Sequence, residues 1–154
     1  MIEPFRLAFD VDAPQVHAFE TYTREIDRWW PASHTHTGRS DLRIVLEGRV
    51  GGRIFERTPD GDEFDWGRIR VWEPPSRLVY SWHLLRDPMQ ATEVEIRFRS
   101  IDDDATRIEI EHRGWERLGA EGQDERDKHG SGWMSLLPNY QEAVAMTGAQ
   151  EDTA

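Results

Sequence analysis

Residues 124–146, DERDKHGSGWMSLLPNYQEAVAM, decide the fold, because they predict one long amphipathic helix near the end of the chain. The apolar side chains recur every three or four residues and therefore share one helix face. They are Trp133, Leu136, Leu137, Tyr140 and Val144. A helix of about 20 residues spans roughly 30 Å, which is enough to cross a curved sheet from rim to rim. Pro138 has no amide hydrogen to donate, so we expect a kink there.

The chain before this helix has the pattern of short strands joined by tight turns. Turn residues such as Gly51-Gly52 and Pro74-Pro75 separate the apolar runs. The predicted strands are residues 42–50, 53–57, 64–72, 77–85, 92–101 and 106–112. Because hairpin turns connect neighbouring strands, the sheet should be antiparallel.

The N-terminal part adds a strand and a broken helix. Residues 3–11 alternate apolar with polar side chains, which predicts a strand. Asp12 is predicted to cap the following helix, with Gln15 as the partner of a capping box. The apolar face of that helix breaks near Thr23, so we expect two short helices before the polar loop at 31–41.

This order of elements, β-αα-β6-α, predicts an α+β domain in which a curved antiparallel sheet wraps around the C-terminal helix. The domain should cover residues 1–147, and residues 148–154 should form a flexible tail. A curved sheet around one helix leaves space that side chains fill only partly. Such a space is the usual small-molecule site of an α+β fold.

The composition argues against several classes of function. The 154 residues include 19 Lys or Arg and 30 Asp or Glu, a net charge of −11, which disfavours binding to nucleic acid or to anionic lipid. The chain has no cysteine, and hence no disulfide and no thiolate metal site. No apolar run is long enough to span a membrane, and the N-terminus lacks the pattern of a signal peptide, so we expect a cytoplasmic protein.

Several local patterns resemble those of one known family. They are Trp29-Trp30-Pro31, Gly51-Gly52 with Phe55, Gly67 through Pro74-Pro75 to Leu78 and Trp82, His112-Arg113-Gly114-Trp115, and Gly132-Trp133 with Leu136 and Leu137. In order and spacing they are similar to the activator of heat-shock-protein-90 ATPase homologue-like family, part of the SRPBCC superfamily (START and birch-pollen-allergen-like). The resemblance covers residues 4–146. It implies the helix-grip fold with its habitual cavity, and it implies no shared set of catalytic residues.

Side chains alternate between the two faces of a strand, so the residues that face the helix can be predicted from parity. Together with the helix stripe, parity gives the candidate ligand-binding residues Trp30, Phe55, Ile69, Trp82, Phe98, His112, Trp133, Leu137 and Tyr140. The alternative is that these residues form an ordinary core. Two arginines in strand 64–72 should face solvent, since buried charges need partners. That choice places Val71 inside and Trp66, Trp72 and Glu56 outside.

Three histidines are candidates for polar chemistry. His112 ends an inward-facing stripe, so it is predicted to bind a polar ligand group or to act as a base. The alternative for His112 is a structural histidine bonded to the terminal helix. His34 and His36 lie in the polar loop, but a zinc site needs further ligands that the sequence does not supply nearby. We expect no metal ion and no cofactor. The two loop histidines are expected to be solvated, although His36 could help to close the mouth of a pocket.

The leading functional hypothesis is binding of a hydrophobic or aromatic small molecule, because tryptophans offer flat stacking faces. One alternative is an enzyme of the cyclase, dehydratase or hydrolase type with His112 as its base. The sequence favours the binder without deciding whether a reaction is catalysed. A second alternative is a protein-interaction module with a chaperone partner, which the family name suggests. The sequence is compatible with a monomer or a homodimer.

Overall fold

The computed structural model shows a seven-stranded antiparallel sheet curled around a long C-terminal helix, and it describes residues 2–152, with side chains up to Met146. The strands are β1 (Phe5–Val11), β2 (Arg43–Leu46), β3 (Arg53–Arg57), β4 (Glu63–Glu73), β5 (Arg77–Trp82), β6 (Thr92–Asp102) and β7 (Ala105–Arg113). Their order across the sheet is β1-β7-β6-β5-β4-β3-β2. The predicted α+β helix-grip architecture is confirmed.

The helices are α1 (Gln15–Tyr22) and α2 (Gly122–Asp152), with turns of 3-10 helix at Ile26–Arg28, Ala32–His34, Pro88–Gln90 and Trp115–Glu121. The predicted break near Thr23 is present, because Thr23 ends α1 and its hydroxyl donates to the carbonyl oxygen of Phe19 at 2.8 Å. The backbone of α2 is helical to Asp152, and residues 153 and 154 of the expected tail lie outside the described residues. No helix in the described part of the chain is long and apolar enough to cross a membrane.

The start of α1 differs from the predicted capping box. Pro14, rather than Asp12, occupies the N-cap position, and no side chain caps the helix. Gln15 instead donates from Nε2 to the carbonyl oxygen of Phe98 at 2.6 Å. This bond ties the first residue of α1 to β6 and sets α1 against the inner face of the sheet.

Strands β5, β6 and β7 present the predicted side chains to the helix. The buried inner-face residues are Leu78, Tyr80, Trp82, Val94, Ile96, Phe98, Ile108, Ile110 and His112. The side chains of α2 that pack on them are Trp133, Leu136, Tyr140 and Val144. The core therefore lies between the sheet and α2, and α1 closes one of its sides.

Strand β4 contains two bulges that break the simple alternation of faces. At the first, Ile54 pairs with Gly67 but Phe55 pairs with Asp65, which leaves Trp66 as the extra residue. Only glycine fits at position 67, because a Cβ atom there would lie 1.8 Å from a carbonyl oxygen of β5. Parity cannot be counted through such a position.

The second bulge, at Arg70, exchanges the faces of the residues that follow it. Val71 pairs with Val79 and shares its outer face, whereas Trp72 turns inward and packs on Phe19 with ring centroids 5.2 Å apart. The predicted faces of Val71 and Trp72 are therefore wrong, because the prediction assumed an unbroken strand.

Three further face assignments in β3 and β4 are wrong. Phe55 lies on the outer face, where the guanidinium carbons of Arg53 and Arg57 stand 4.0 and 5.3 Å from its ring centroid. These cation–π contacts cover the ring without placing it in the core. Trp66 and Glu56 are fully buried, and the indole N–H of Trp66 donates to Oε1 of Glu56 at 2.8 Å. Glu56 is tolerated inside because its carboxylate is hydrogen-bonded.

The outer face of the sheet carries a network of arginines and glutamates with Glu95 at its centre. The carboxylate of Glu95 accepts hydrogen bonds from Arg77, Arg97 and Arg113 at 2.8, 2.9 and 2.7 Å. Burial alone would raise the pKa of Glu95, but the bonds from Arg113 and Arg77 outweigh it and lower the pKa to about 2. This network covers Val79, so the apolar atoms of the outer face are shielded as well.

Candidate ligand-binding cavity

The interior between the sheet and α2 is filled at one end and open at the other. At the filled end, Tyr140 packs edge-to-face on Phe9, Tyr22 and Trp29, with ring centroids 5.3 to 6.1 Å apart. These rings leave a void of only about 10 Å³. At the open end, beside the first half of α2, a cavity of about 230 Å³ remains.

The open cavity has an apolar wall of three tryptophans and two leucines, Trp30, Trp82, Trp133, Leu84 and Leu136, and is termed the tryptophan cavity. The rings of Trp30 and Trp82 have centroids 5.7 Å apart and are tilted by 50°. Trp30 follows the first 3-10 turn, Trp82 ends β5, and Trp133 lies on α2. Three separate elements thus supply aromatic faces to one space.

Four polar side chains also line the tryptophan cavity: His34, His112, Lys128 and His129. His34 comes from the polar loop, His112 from the end of β7, and the other two from α2. Their hydrogen bonds decide which of them can serve a ligand.

His112 is fully hydrogen-bonded within the protein. The indole N–H of Trp133 lies 3.1 Å from Nδ1 of His112, and because an indole only donates, Nδ1 holds the lone pair. Nε2 then carries the hydrogen and donates to Oγ1 of Thr92 at 2.7 Å. Burial, together with His129, holds the pKa of His112 well below its usual value. His112 is therefore a neutral structural histidine bonded to the terminal helix, and the geometry does not support its role as a base.

His129 lines the cavity and was missed by the sequence reasoning. Its Nδ1 donates to the carbonyl oxygen of Glu125 at 2.8 Å, and its ring stands edge-to-face to His112 at 5.3 Å. Burial lowers the pKa of His129, so the ring is neutral and Nε2 holds a lone pair. The signal was present, since His129 lies four residues before Trp133 and so shares its helix face.

Glu56 holds the polar loop beside the cavity. Its carboxylate accepts hydrogen bonds from the backbone N–H groups of His36 and Thr37, in addition to the indole of Trp66. A buried carboxylate with three donors has little freedom to move. The loop is thereby fixed to β3.

The two loop histidines have different surroundings. His34 lies against α2, where Cδ2 of its ring would be 3.8 Å from a Cβ atom at Gly132, and its carbonyl oxygen accepts from Trp30 Nε1 at 2.9 Å. His36 stacks on Phe64 with centroids 4.4 Å apart and lies away from the cavity wall. His36 is exposed, as expected of a solvated histidine, but it does not help to close the cavity; His34 lies on the cavity wall instead.

The structure separates the predicted ligand-binding residues into four groups. Those on the wall of the tryptophan cavity are Trp30, Trp82, His112 and Trp133. Leu137 and Tyr140 line the small void of the filled end. Ile69 and Phe98 are core residues that line neither space, and Phe55 lies on the outer face.

A larger space of about 710 Å³, the outer groove, lies between α1, β2 and Trp72. Its charged side chains pair with each other, Arg24 with Glu20 at 3.0 Å and Arg43 with Asp27 at 3.3 Å. The two arginine side chains are 74% and 78% exposed, so this is a surface groove. The tryptophan cavity is smaller, but its aromatic walls and few polar groups are more typical of a ligand site.

A curved sheet that grips a helix, with an aromatic cavity between them, defines a ligand-binding fold of the helix-grip class. The family model for Activator of Hsp90 ATPase homolog 1-like protein matches residues 12–144. The chain belongs to this family, and the resemblance seen in its motifs is confirmed.

Solved structures of similar proteins cover almost the whole chain. The self-sacrificing resistance protein CalC from Micromonospora echinospora is 28% identical, with a TM-score of 0.72 over 96% of this chain and 97% of CalC. The anthrahydroquino-gamma-pyrone synthase Txn09, solved in complex with SUM, is 30% identical, with a TM-score of 0.62 over 92% of this chain and 97% of Txn09. CalU16 from Micromonospora echinospora is 24% identical, with a TM-score of 0.64 over 96% of this chain and 82% of CalU16, and shows the fold alone. No curated protein matches the chain.

Proposed function

We propose that the protein binds a one- or two-ring aromatic molecule in the tryptophan cavity. The observation that carries this proposal is that Trp30, Trp82 and Trp133 line one cavity of about 230 Å³. Aromatic rings pack on one another in offset or edge-to-face arrangements and contribute about 0.5–1.5 kcal/mol per pair beyond the burial of area. A flat apolar ligand is the molecule such walls favour.

The volume sets the size of the ligand. Pockets for drug-sized molecules hold roughly 300–1,000 Å³, and this cavity is smaller. The ligand has no deeper space to enter, because the neighbouring void holds only about 10 Å³. One or two fused rings therefore fit better than an extended polycyclic molecule.

The comparisons support ligand binding without naming the ligand. Txn09 is a synthase of the same fold that was solved in complex with SUM. A reaction in this cavity would need a base other than His112, since both ring nitrogens of His112 are hydrogen-bonded. The chaperone partner suggested by the family name, the monomeric or dimeric state and the cytoplasmic location stay predictions.

Titration of the purified protein with 2-methylnaphthalene, followed by calorimetry and thermal melting, tests the proposal. The wild type should bind the probe and melt at a higher temperature, because a ligand that binds only the folded state stabilises it. Trp133→Ala should weaken binding more than about tenfold while costing about 1–3 kcal/mol of stability, since part of the ring already faces the cavity.

The matched control is Trp72→Ala, the same truncation in the outer groove. It should leave probe binding within about twofold of the wild type, because Trp72 lines a different space. Absence of binding by the wild type would refute the proposal. A stability loss above about 4 kcal/mol in Trp133→Ala with unchanged binding would place Trp133 in the core instead.

A further inference from the structure

We propose that the ligand of the tryptophan cavity is a neutral aromatic alcohol, whose hydroxyl group donates to Nε2 of His129 and whose oxygen accepts from the indole N–H of Trp82. This inference rests on the proposed function and specifies the polar chemistry of the same site. It follows from an account of which polar groups on the wall already have partners.

Most polar groups on the wall are occupied within the protein. The indole N–H of Trp30 donates to the carbonyl oxygen of His34 at 2.9 Å, and that of Trp133 donates to Nδ1 of His112 at 3.1 Å. The second nitrogen of His112 is bonded to Thr92 at 2.7 Å. These groups shape the cavity but offer a ligand neither a donor nor an acceptor. His34 bonds Oγ of Ser33 through Nδ1 at 3.0 Å, and its Nε2 has no hydrogen-bond partner within residues 2–146, so His34 is the site that competes with His129.

His129 supplies an acceptor. The carbonyl oxygen of Glu125 can only accept, so Nδ1 of His129 carries the hydrogen of that 2.8 Å bond. In the neutral ring Nε2 is then an acceptor, and it has no hydrogen-bond partner within residues 2–146. The contact of the ring with Trp115, at 5.0 Å between centroids, holds its plane in place. A ligand group that donates a hydrogen bond, such as a hydroxyl, satisfies this nitrogen.

Trp82 supplies a donor. In the described part of the chain, five of the seven tryptophans donate their indole hydrogen to a protein acceptor. The two that do not are Trp72, in the exposed outer groove, and Trp82, which is only 9% exposed and lines the tryptophan cavity. The indole hydrogen of Trp82 is therefore available to an acceptor that enters the cavity. The oxygen of an alcohol is such an acceptor.

The charges at the rim favour a neutral ligand. Lys128 lies 3.7 Å and Arg86 3.1 Å from the carboxylate of Glu125, so the cations nearest to His129 are paired. Lys128 is also 74% exposed and well hydrated. An anionic ring substituent would lose its hydration without gaining a free cation in the cavity.

Three naphthalenes with different substituents at the same ring position test the inference by calorimetry at pH 7.5. They are 2-naphthol, 2-methylnaphthalene, in which a methyl group of similar size replaces the hydroxyl, and 2-naphthoate, which is anionic. We expect 2-naphthol to bind about tenfold more tightly than 2-methylnaphthalene, the range of one or two net hydrogen bonds. We expect 2-naphthoate to bind more weakly than both.

Variants of His129 test whether the preference for 2-naphthol over 2-methylnaphthalene depends on this side chain. His129→Phe should reduce the preference for 2-naphthol from about tenfold to about two- or threefold, because the bond to Nε2 is lost while the indole N–H of Trp82 can still donate. His129→Gln keeps an acceptor and should retain part of the preference. His36→Phe, the same substitution at a histidine that stacks on Phe64 away from the cavity wall, should leave the preference unchanged. A thermal melt of each variant without ligand confirms that it is folded.

The outcomes separate this inference from the proposed function. Equal binding of 2-naphthol and 2-methylnaphthalene, or a preference that is undiminished in His129→Phe, would overturn the inference and leave the proposed function standing. Tighter binding of 2-naphthoate would overturn it in favour of recognition by Lys128. If none of the three probes binds, the proposed function fails, and the inference fails with it.

Discussion

The two ends of the interior use the same residue types under one helix, yet only one of them leaves space. At the filled end, Tyr140 of α2 meets aromatic rings from β1, α1 and the first 3-10 turn, and about 10 Å³ remains. At the open end, Trp133 of the same helix lines one cavity with Trp30 and Trp82, and about 230 Å³ remains. Aromatic content alone therefore does not predict whether such an interior is solid or hollow.

Hydrogen bonding and small residues account for the difference. At the filled end, the hydroxyl of Tyr140 donates to the carbonyl oxygen of Ala18 at 2.7 Å, and those of Tyr22 and Tyr80 bond each other at 2.7 Å. These bonds draw α1, α2 and β5 together. At the open end the helix presents Gly132 to the cavity, and the facing loop is held by hydrogen bonds to Glu56 of β3 rather than by the helix. Gly132 has no side chain that could fill the space between α2 and the loop.

The largest effect is expected at the filled end. Tyr140→Ala should cost about 3–5 kcal/mol of unfolding free energy, because it opens a void that surrounding rings cannot collapse to fill. Tyr140→Phe keeps the ring and loses the bond to Ala18, so it should cost about 0.5–1.5 kcal/mol. Urea unfolding measures both. A cost below about 2 kcal/mol for Tyr140→Ala would mean that the filled end can rearrange, and the contrast with the open end would disappear.

Lowering the pH should have an intermediate effect on the unfolding free energy, through the histidines of the open end. Burial lowers the pKa values of His34, His112 and His129 in the folded state, so the unfolded chain takes up these protons first. The unfolding free energy should therefore fall as the pH drops below about 6.5. Acidic groups whose pKa values are lowered add to this loss only below about pH 4.5. We expect a loss of about 1–2 kcal/mol between pH 7 and pH 5, most of it from His112.

The variant His112→Asn isolates this contribution. Its side-chain oxygen can accept from Trp133, but it does not titrate, so the dependence of stability on pH should become shallower over the same range. Stability that rises as the pH falls to 5 in the wild type would show that the folded protein gains protons here, contrary to the neutral assignment of His112.

The smallest effect on stability is expected from substitutions at two glycines of α2. Gly132→Ala should stabilise the protein by up to about 1 kcal/mol, because alanine favours helix and the new Cβ atom would meet His34 only at 3.8 Å. Gly130→Ala should instead destabilise it by about 1 kcal/mol or more, since its Cβ atom would lie 2.8 Å from the ring of Phe5. Thermal melting compares the two variants. Equal shifts would show that the helix is equally tightly packed at both positions.

The sequence was sufficient for the fold wherever the strands are regular. Alternation along β6 and β7 identified Phe98 and His112 as inward-facing, and the helix stripe identified Trp133 and Tyr140. The prediction of faces from alternation failed in β4, where the bulges at Trp66 and Arg70 each add a residue to one strand only. A bulge depends on the register of the partner strand, which a local pattern does not contain.

The candidate site was predicted in its apolar part and missed in its polar part. Trp30, Trp82 and Trp133 were named from parity and spacing, and they line the cavity. The roles of His112 and His129 depend on which nitrogen each partner occupies. Trp133 and Thr92 become neighbours of His112 only after the chain has folded, whereas Glu125 lies one helical turn before His129. No spacing rule along the sequence reveals such a tautomer.

The arginine and glutamate network on the outer face has a consequence for how this fold diversifies. Glu95 and its arginine partners stabilise the sheet from the face opposite the tryptophan cavity. Substitutions in the tryptophan cavity, which lies across the sheet from them, leave these ion pairs intact, and effects at separated sites add independently. Residues on the cavity wall can therefore be substituted while the ion pairs of the outer face continue to stabilise the sheet.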